Sequence, residues 1–177
     1  MTTATAVFVN EPGQLDEVLS CYKPHCRYLK SLSVDVFGDR IVGTGTFAIP
    51  EPCYIDDTGH LNAVEVGICY NQLLYQTMAT MVRHRTGPVL ADWTMPEFLR
   101  RYLPDVLIAA SRNVFRRAID SRAFTGEFVI ERAARYRPGP DASERIALET
   151  RYRFWDEFGG ACDGEIRVVI VDTGSAP

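Results

Sequence analysis

The sequence predicts an α+β fold in which an antiparallel sheet wraps around one long, buried helix. Three observations carry this expectation. From Leu61 to Arg83 the chain reads as a helix that is apolar on almost every side, with Val64, Val66, Ile68, Leu73, Leu74, Met78, Met81 and Val82 spread over several faces. Such a helix must be enclosed. Before it, Asp35 to Ile49 alternates like a strand. After it come three alternating runs with turn residues between them, the pattern of an antiparallel meander.

The elements follow in order. Residues 1–13 read as a loose N-terminus ending in the turn-like Glu11-Pro12-Gly13. Leu15 to Cys21 reads as a short helix. In the first strand, Val42, Thr44 and Thr46 alternate with Ile41, Gly43, Gly45 and Phe47. Gly43 and Gly45 leave a gap on one face into which a helix or a ligand can pack. Pro50 and Pro52 end the strand. The central helix, at about 1.5 Å per residue, is roughly 35 Å long, enough to cross a sheet. Thr94-Met95-Pro96-Glu97 starts another helix, with a Thr cap, an early Pro and a Glu three residues on. That helix ends near Leu103-Pro104. Strands are then expected over Phe124–Ala133, Ile146–Trp155 and Glu165–Val171, separated by Pro138-Gly139-Pro140 and Gly159-Gly160.

The chain of 177 residues suits one domain over 1–177. It can bury roughly 70% of the surface it exposes when unfolded. Hydrophobic residues make up 46% and charged residues 24%, an ordinary globular balance. A net charge of −4 asks for no nucleic acid. The 17 Arg against two Lys are unevenly placed, with seven between Arg112 and Arg137. They form either a solvated, ion-paired face or a docking surface for phosphates or an acidic protein. Five Cys at irregular spacings match no disulfide framework. No charged leader precedes an apolar core, and no apolar run approaches the roughly 20 residues of a membrane span. A reducing cytoplasm is therefore the expected location. Cys21, His25 and Cys26 lack a second ligand pair, so no metal is expected there.

Asn62, Glu65, Cys69, Gln72 and Gln76 recur at spacings of 3, 4, 3 and 4, so they form one polar stripe on an otherwise apolar helix. Buried polar groups need partners. Asn62-Ala63-Val64-Glu65 fits a capping box, and Gln72 and Gln76 can face a subunit boundary. Asn71 lies on a different wall. Just upstream stands Tyr54-Ile55-Asp56-Asp57-Thr58-Gly59-His60. The first turn of a helix offers unpaired N–H groups and a positive dipole end. Gly59 lets a ligand approach the backbone there. Such a place can hold the negative charge that develops on a polarised carbonyl, and His60 beside it can move protons. No G-x-S-x-G, P-loop or G-x-G-x-x-G is present.

The block Tyr54-Ile55-x-x-Thr58-Gly59-His60-x-Asn62-Ala63-Val64-Glu65, followed by Cys69-x-Asn71-Gln72-Leu73, resembles the FcoT family. So do Tyr22 with Cys26-Arg27-Tyr28-Leu29, and Phe154-Trp155-Asp156-Glu157-x-Gly159-Gly160-Ala161 with Gly164-Glu165-Ile166. The resemblance runs from about residue 20 to 170 and is weakest over 84–145. It implies a hot-dog fold and a dimer or larger homo-oligomer with sites at subunit interfaces. It implies either long-chain acyl-CoA thioester hydrolysis, or addition of glycine to a (2E)-enoyl group on an acyl carrier protein, with later hydrolysis to a 3-(carboxymethylamino) acid. The family's site positions correspond to Tyr22, Tyr54, Asn62 and Asn71. His60 and Glu65 match as well, and either can serve as the base. The glycine carboxylate calls for a cation, with Lys23, Arg27, Arg112 and Arg116 as candidates. Neither reaction asks for a redox cofactor or metal, and in the glycine addition the substrate rides on the carrier's phosphopantetheine arm. A non-catalytic acyl-carrier-binding module is the remaining reading.

Overall fold

A computed structural model describes residues 4–172. In chain order these form β1 (Ala6–Val9), α1 (Pro12–Leu19), a 3-10 turn (Pro24–Cys26), β2 (Leu29–Phe37) and β3 (Arg40–Phe47). Then come α2 (Ala63–Arg83), α3 (Met95–Arg101), β4 (Val106–Arg117), β5 (Phe124–Tyr136), β6 (Arg145–Trp155) and β7 (Ala161–Ile170). The strands make one antiparallel sheet in the order β1-β2-β3-β5-β6-β7-β4. The sheet wraps around α2, and this is the hot-dog arrangement.

The two glycines of β3 admit the helix. A side chain at Gly43 would collide with Thr77, and one at Gly45 would collide with Leu29 and the Ser31 carbonyl and press on Leu73. Almost every residue of α2 from Glu65 to Val82 is buried. Tyr70 meets Phe128 and Tyr152 edge-on, and Phe47, Phe124 and Phe154 continue the aromatic core along the sheet.

Two expectations need correction, and one strand was not expected. Asp35 to Ile49 is not one strand. Gly38, at φ +64°, turns the chain so that β2 and β3 form a hairpin. The N-terminus is not loose from residue 4 onward, because β1 pairs with β2 and α1 already starts at Pro12, capped by Glu11. Residues 1–3 lie outside the described residues. Finally, 106–117 is a strand. Its ladder with β7 shifts register between Ile108 and Ala110 and again between Phe115 and Arg117, which breaks the period-2 pattern by which a strand is read.

The segment after β4 ties the sheet to the start of α2. The Leu61 N–H donates to Ile119 O at 3.0 Å, and the Ile49 N–H donates to Ser121 O at 2.8 Å. Asp156, in the turn between β6 and β7, anchors that segment. Its Oδ2 accepts from the Asp120 N–H at 2.7 Å, and its Oδ1 accepts from Phe158 and Gly160 at 2.9 and 2.7 Å. These donors, led by Asp120, hold the carboxyl below its ordinary value. A side chain at Gly160 would strike the Ala118 carbonyl and Asp156.

Candidate active site

The polar stripe of α2 divides into two parts with different work. Its lower half is satisfied within this chain. Gln72 Oε1 accepts from the N–H groups of Tyr28 and Leu29 at 3.0 and 2.9 Å, and Nε2 donates to Cys26 O at 2.7 Å. Gln76 Nε2 donates to Leu15 O at 2.7 Å. Both side chains are fully buried, so they do not face a subunit boundary. Gln72 closes backbone bonds at the irregular entry into β2, and Gln76 ties α2 to a carbonyl in the middle of α1. Cys69, also fully buried, has its thiol pushed up by burial and is inert packing.

The upper half forms the helix start. Asn62 Oδ1 accepts from the N–H groups of Val64 and Glu65 at 3.0 and 3.2 Å. Glu65 Oε2 accepts from the Asn62 N–H at 3.1 Å, completing the capping box. The Tyr54 hydroxyl adds a third donor to Asn62 Oδ1 at 2.7 Å. Three donors on one oxygen fix which way the carboxamide points. Asn62 Nδ2 has no acceptor among the described residues.

This geometry corrects the expected oxyanion site. The N–H groups of Val64, Glu65 and Val66 are already bonded to Asn62, and that of Gly59 to Asp57 Oδ1 at 2.8 Å. The donors left over are Asn62 Nδ2 and the Ala63 N–H. Gly59, at φ +74° with open space where a side chain would sit, shapes the exposed loop instead.

A groove of about 480 Å³ opens here, lined by His60, Leu61, Asn62, Ala63 and Phe115 to Ala118. His60 is exposed, and its Nδ1 lies 3.0 Å from Thr58 O. A carbonyl only accepts, so Nδ1 carries the proton and Nε2 of the neutral ring keeps its lone pair. Glu65 is 1% exposed, and its Oε1 has no hydrogen-bond partner. Burial raises its carboxyl above the ordinary value, against the lowering effect of the Asn62 N–H. Of the two candidate bases, only His60 meets the groove.

The other expected residues scatter. Tyr22 packs partly buried against the core, its phenol raised by burial and by Tyr75 beside it. Arg27 Nε donates to Tyr22 O at 3.2 Å, and its guanidinium lies 3.8 Å from Asp16, toward α1. Lys23 is exposed at the cap of the 3-10 turn. None of the three lines the groove. Asn71 is half-buried, nine residues beyond Asn62 and so about 13 Å along the axis. Arg112 pairs in register with Glu165 on the outer face of the sheet. Arg116 grips Asp163 through Nε at 2.9 Å and Nη2 at 3.3 Å. Phe115 lines the groove although the sequence did not single it out, and beside it stands Arg117, which the sequence placed only in the arginine-rich docking stretch. The signal of Phe115 was hidden because the strand bearing it was not read as one. Among the described residues, no three His, Cys, Asp or Glu side chains cluster as a metal would require.

A sheet wound about a helix defines a hot-dog protein, and the start of that helix carries an oriented carboxamide and an exposed imidazole. Residues 17–170 match the FcoT-like thioesterase domain, and the chain belongs to that family. A (2E)-enoyl-ACP glycyltransferase of Streptomyces coeruleorubidus is 42% identical over 164 residues, covering 93% of this chain and 99% of that one. A protein of the same name from Mycobacterium tuberculosis (strain ATCC 25618 / H37Rv) is 34% identical over 153 residues, covering 83% and 79%. One from Mycobacterium marinum is 33% identical over the same length, covering 83% and 78%.

Proposed function

We propose that this protein adds glycine to the β-carbon of a (2E)-enoyl thioester carried on an acyl carrier protein. The names of its relatives support this, and one observation in the site carries it: Asn62 and His60, whose Nδ2 and Nε2 have no hydrogen-bond partner among the described residues, line one groove. The thioester carbonyl takes hydrogen bonds from Asn62 Nδ2 and the Ala63 N–H, which draws electrons from the alkene. The glycine amine attacks the β-carbon. As the C–N bond forms, the alkene electrons pass to the carbonyl oxygen as an enolate, and His60 Nε2 takes the proton the amine loses. That proton goes to the α-carbon, restoring the carbonyl. The addition is redox-neutral, and no cofactor or metal is required by it. Hydrolysis of the adduct then follows at the same polarised carbonyl: water adds to the carbonyl carbon, the C–S bond breaks, the pantetheine sulfur leaves as the thiol with a proton from the water, and a 3-(carboxymethylamino) acid is released. The family's thioesterase description favours hydrolysis alone as the second reading.

The carrier would approach from the mouth at Arg116 and Arg117. Arg116 is paired with Asp163, and Arg122 with Asp57, whereas Arg117 makes no ion pair among the described residues. The test is incubation of crotonyl-carrier protein with glycine and mass spectrometry of the carrier. A glycine adduct still on the carrier is expected, and free acid without adduct would refute the proposal. Repeating it with Arg117→Glu should raise KM for the carrier substrate but spare a short pantetheine thioester. Equal effects on both would remove Arg117 from docking.

A further inference from the structure

Asn113 stands opposite Gly164 in the β4–β7 ladder, and Phe115 stands opposite Cys162. Along β7, Cys162, Gly164 and Ile166 are buried, while Glu165 between them is exposed on the outer face. Asn113 therefore shares the inner face with Phe115, the groove residue beside His60 and Asn62. It lies two residues, or about 6.7 Å, further along the strand. Its side chain is exposed.

An arrangement across three strands fixes its orientation. Tyr152 on β6 lies over Gly164, where any side chain would collide with the tyrosine ring and the Arg112 carbonyl. The ring thereby reaches β4, and its hydroxyl donates to Asn113 Oδ1 at 2.8 Å. Burial raises the phenol above its ordinary value, so it keeps the proton it donates. With Oδ1 occupied, Asn113 Nδ2 has no acceptor among the described residues. Tyr54 treats Asn62 in the same way at the helix start.

We propose that Asn113 Nδ2 binds the carboxylate of the incoming glycine. This rests on the glycine-addition reading above. In that reaction the carboxylate lies several bonds beyond the carbonyl held at Asn62, along the acyl direction. Asn113 is set that order of distance past Phe115. The cations expected from the sequence do not serve the inner face, because Arg112 is on the outer face and Arg116 is held by Asp163. An amide donor to a carboxylate makes a charge-assisted bond.

Asn113→Asp tests this directly. It keeps an oxygen for the Tyr152 hydroxyl but loses both donors and adds a like charge. With crotonyl-carrier protein saturating and glycine varied, KM for glycine should rise about tenfold or more. KM for the carrier substrate and the melting temperature should hold. Asn113→Ala should raise the glycine KM in the same direction, and Tyr152→Phe should raise it less. An adduct formed with unmoved glycine KM in Asn113→Asp and Asn113→Ala overturns this proposal alone, as does an equal rise for both substrates. No adduct from the unmodified protein overturns the proposal together with the functional reading.

Discussion

Asn62 does two jobs with its two amide atoms, and the division decides what its neighbours do. Oδ1 caps the helix and takes the Tyr54 hydroxyl, which leaves Nδ2 without an acceptor among the described residues, the donor that the proposed reaction uses. Glu65 holds the Asn62 backbone from inside, so it acts as a positioning residue. Its raised carboxyl has a consequence for stability. An acid raised in the folded state favours folding while protonated and costs stability as pH rises through its unfolded value, about 4.3, toward the folded one. Glu65→Gln removes that cost and keeps an acceptor for the Asn62 N–H. Thermal unfolding should therefore show the variant at least as stable as the parent at neutral pH, with any advantage shrinking toward about pH 4. A variant clearly less stable at neutral pH would mean that the charge itself supports the fold. At this scale the sequence displayed the capping box and the odd polar stripe. It did not display the partners of Gln72, because the backbone groups it satisfies lie 43 and 44 residues away.

Elements, next, are held to the site by a short strap. Asp156 joins the β6–β7 turn to Asp120, and residues 119–121 in turn hold Leu61 and Ile49 on either side of the loop with Tyr54 and His60. Asp156→Ala leaves three backbone donors without their acceptor and should cost about 2–3 kcal/mol in denaturant unfolding. The sign with pH follows from its lowered carboxyl. Its stabilisation is present above the unfolded value of about 3.9 and is lost as pH falls through the lower folded value. A difference between parent and variant that persists undiminished in strong acid would contradict this. The motif around Asp156 was visible in the sequence, but its role was not, since nothing local marks Asp120 as its partner. The long helix, α3 and β6 were legible because each has an unbroken period or cap, whereas β5 runs on past a register shift between Ile130 and Arg132 and β7 begins four residues earlier than its alternation suggested. β4 was not, because its two register shifts and its exposure on both faces erase the alternation.

Across the whole molecule, β4 is one end of the sheet and β1 the other. Among the described residues the outer edge of β4 is unpaired along Val106–Arg117, and Leu107, Ile108 and Phe115 are exposed on it. Val64, Tyr54 and Ile55 add apolar surface around the helix start. A long open edge of this kind invites another strand. We propose a second copy of the chain as the partner, which would also bring together site residues that one chain leaves apart, such as Asn71 and Tyr22. Light scattering should give about twice the 19.9 kDa chain mass, and Ile108→Glu should reduce it to a single chain. A parent protein that runs at one chain mass would contradict the proposal.

The claim on which everything else depends is that glycine is added in the groove at the start of α2, with His60 Nε2 as the base. The most direct measurement is the rate of adduct formation on crotonyl-carrier protein by His60→Ala. His60 is exposed, so its loss should leave the melting temperature unchanged. The rate should fall by about 100-fold or more. A folded His60→Ala protein that forms the adduct at the parent's rate would contradict the account.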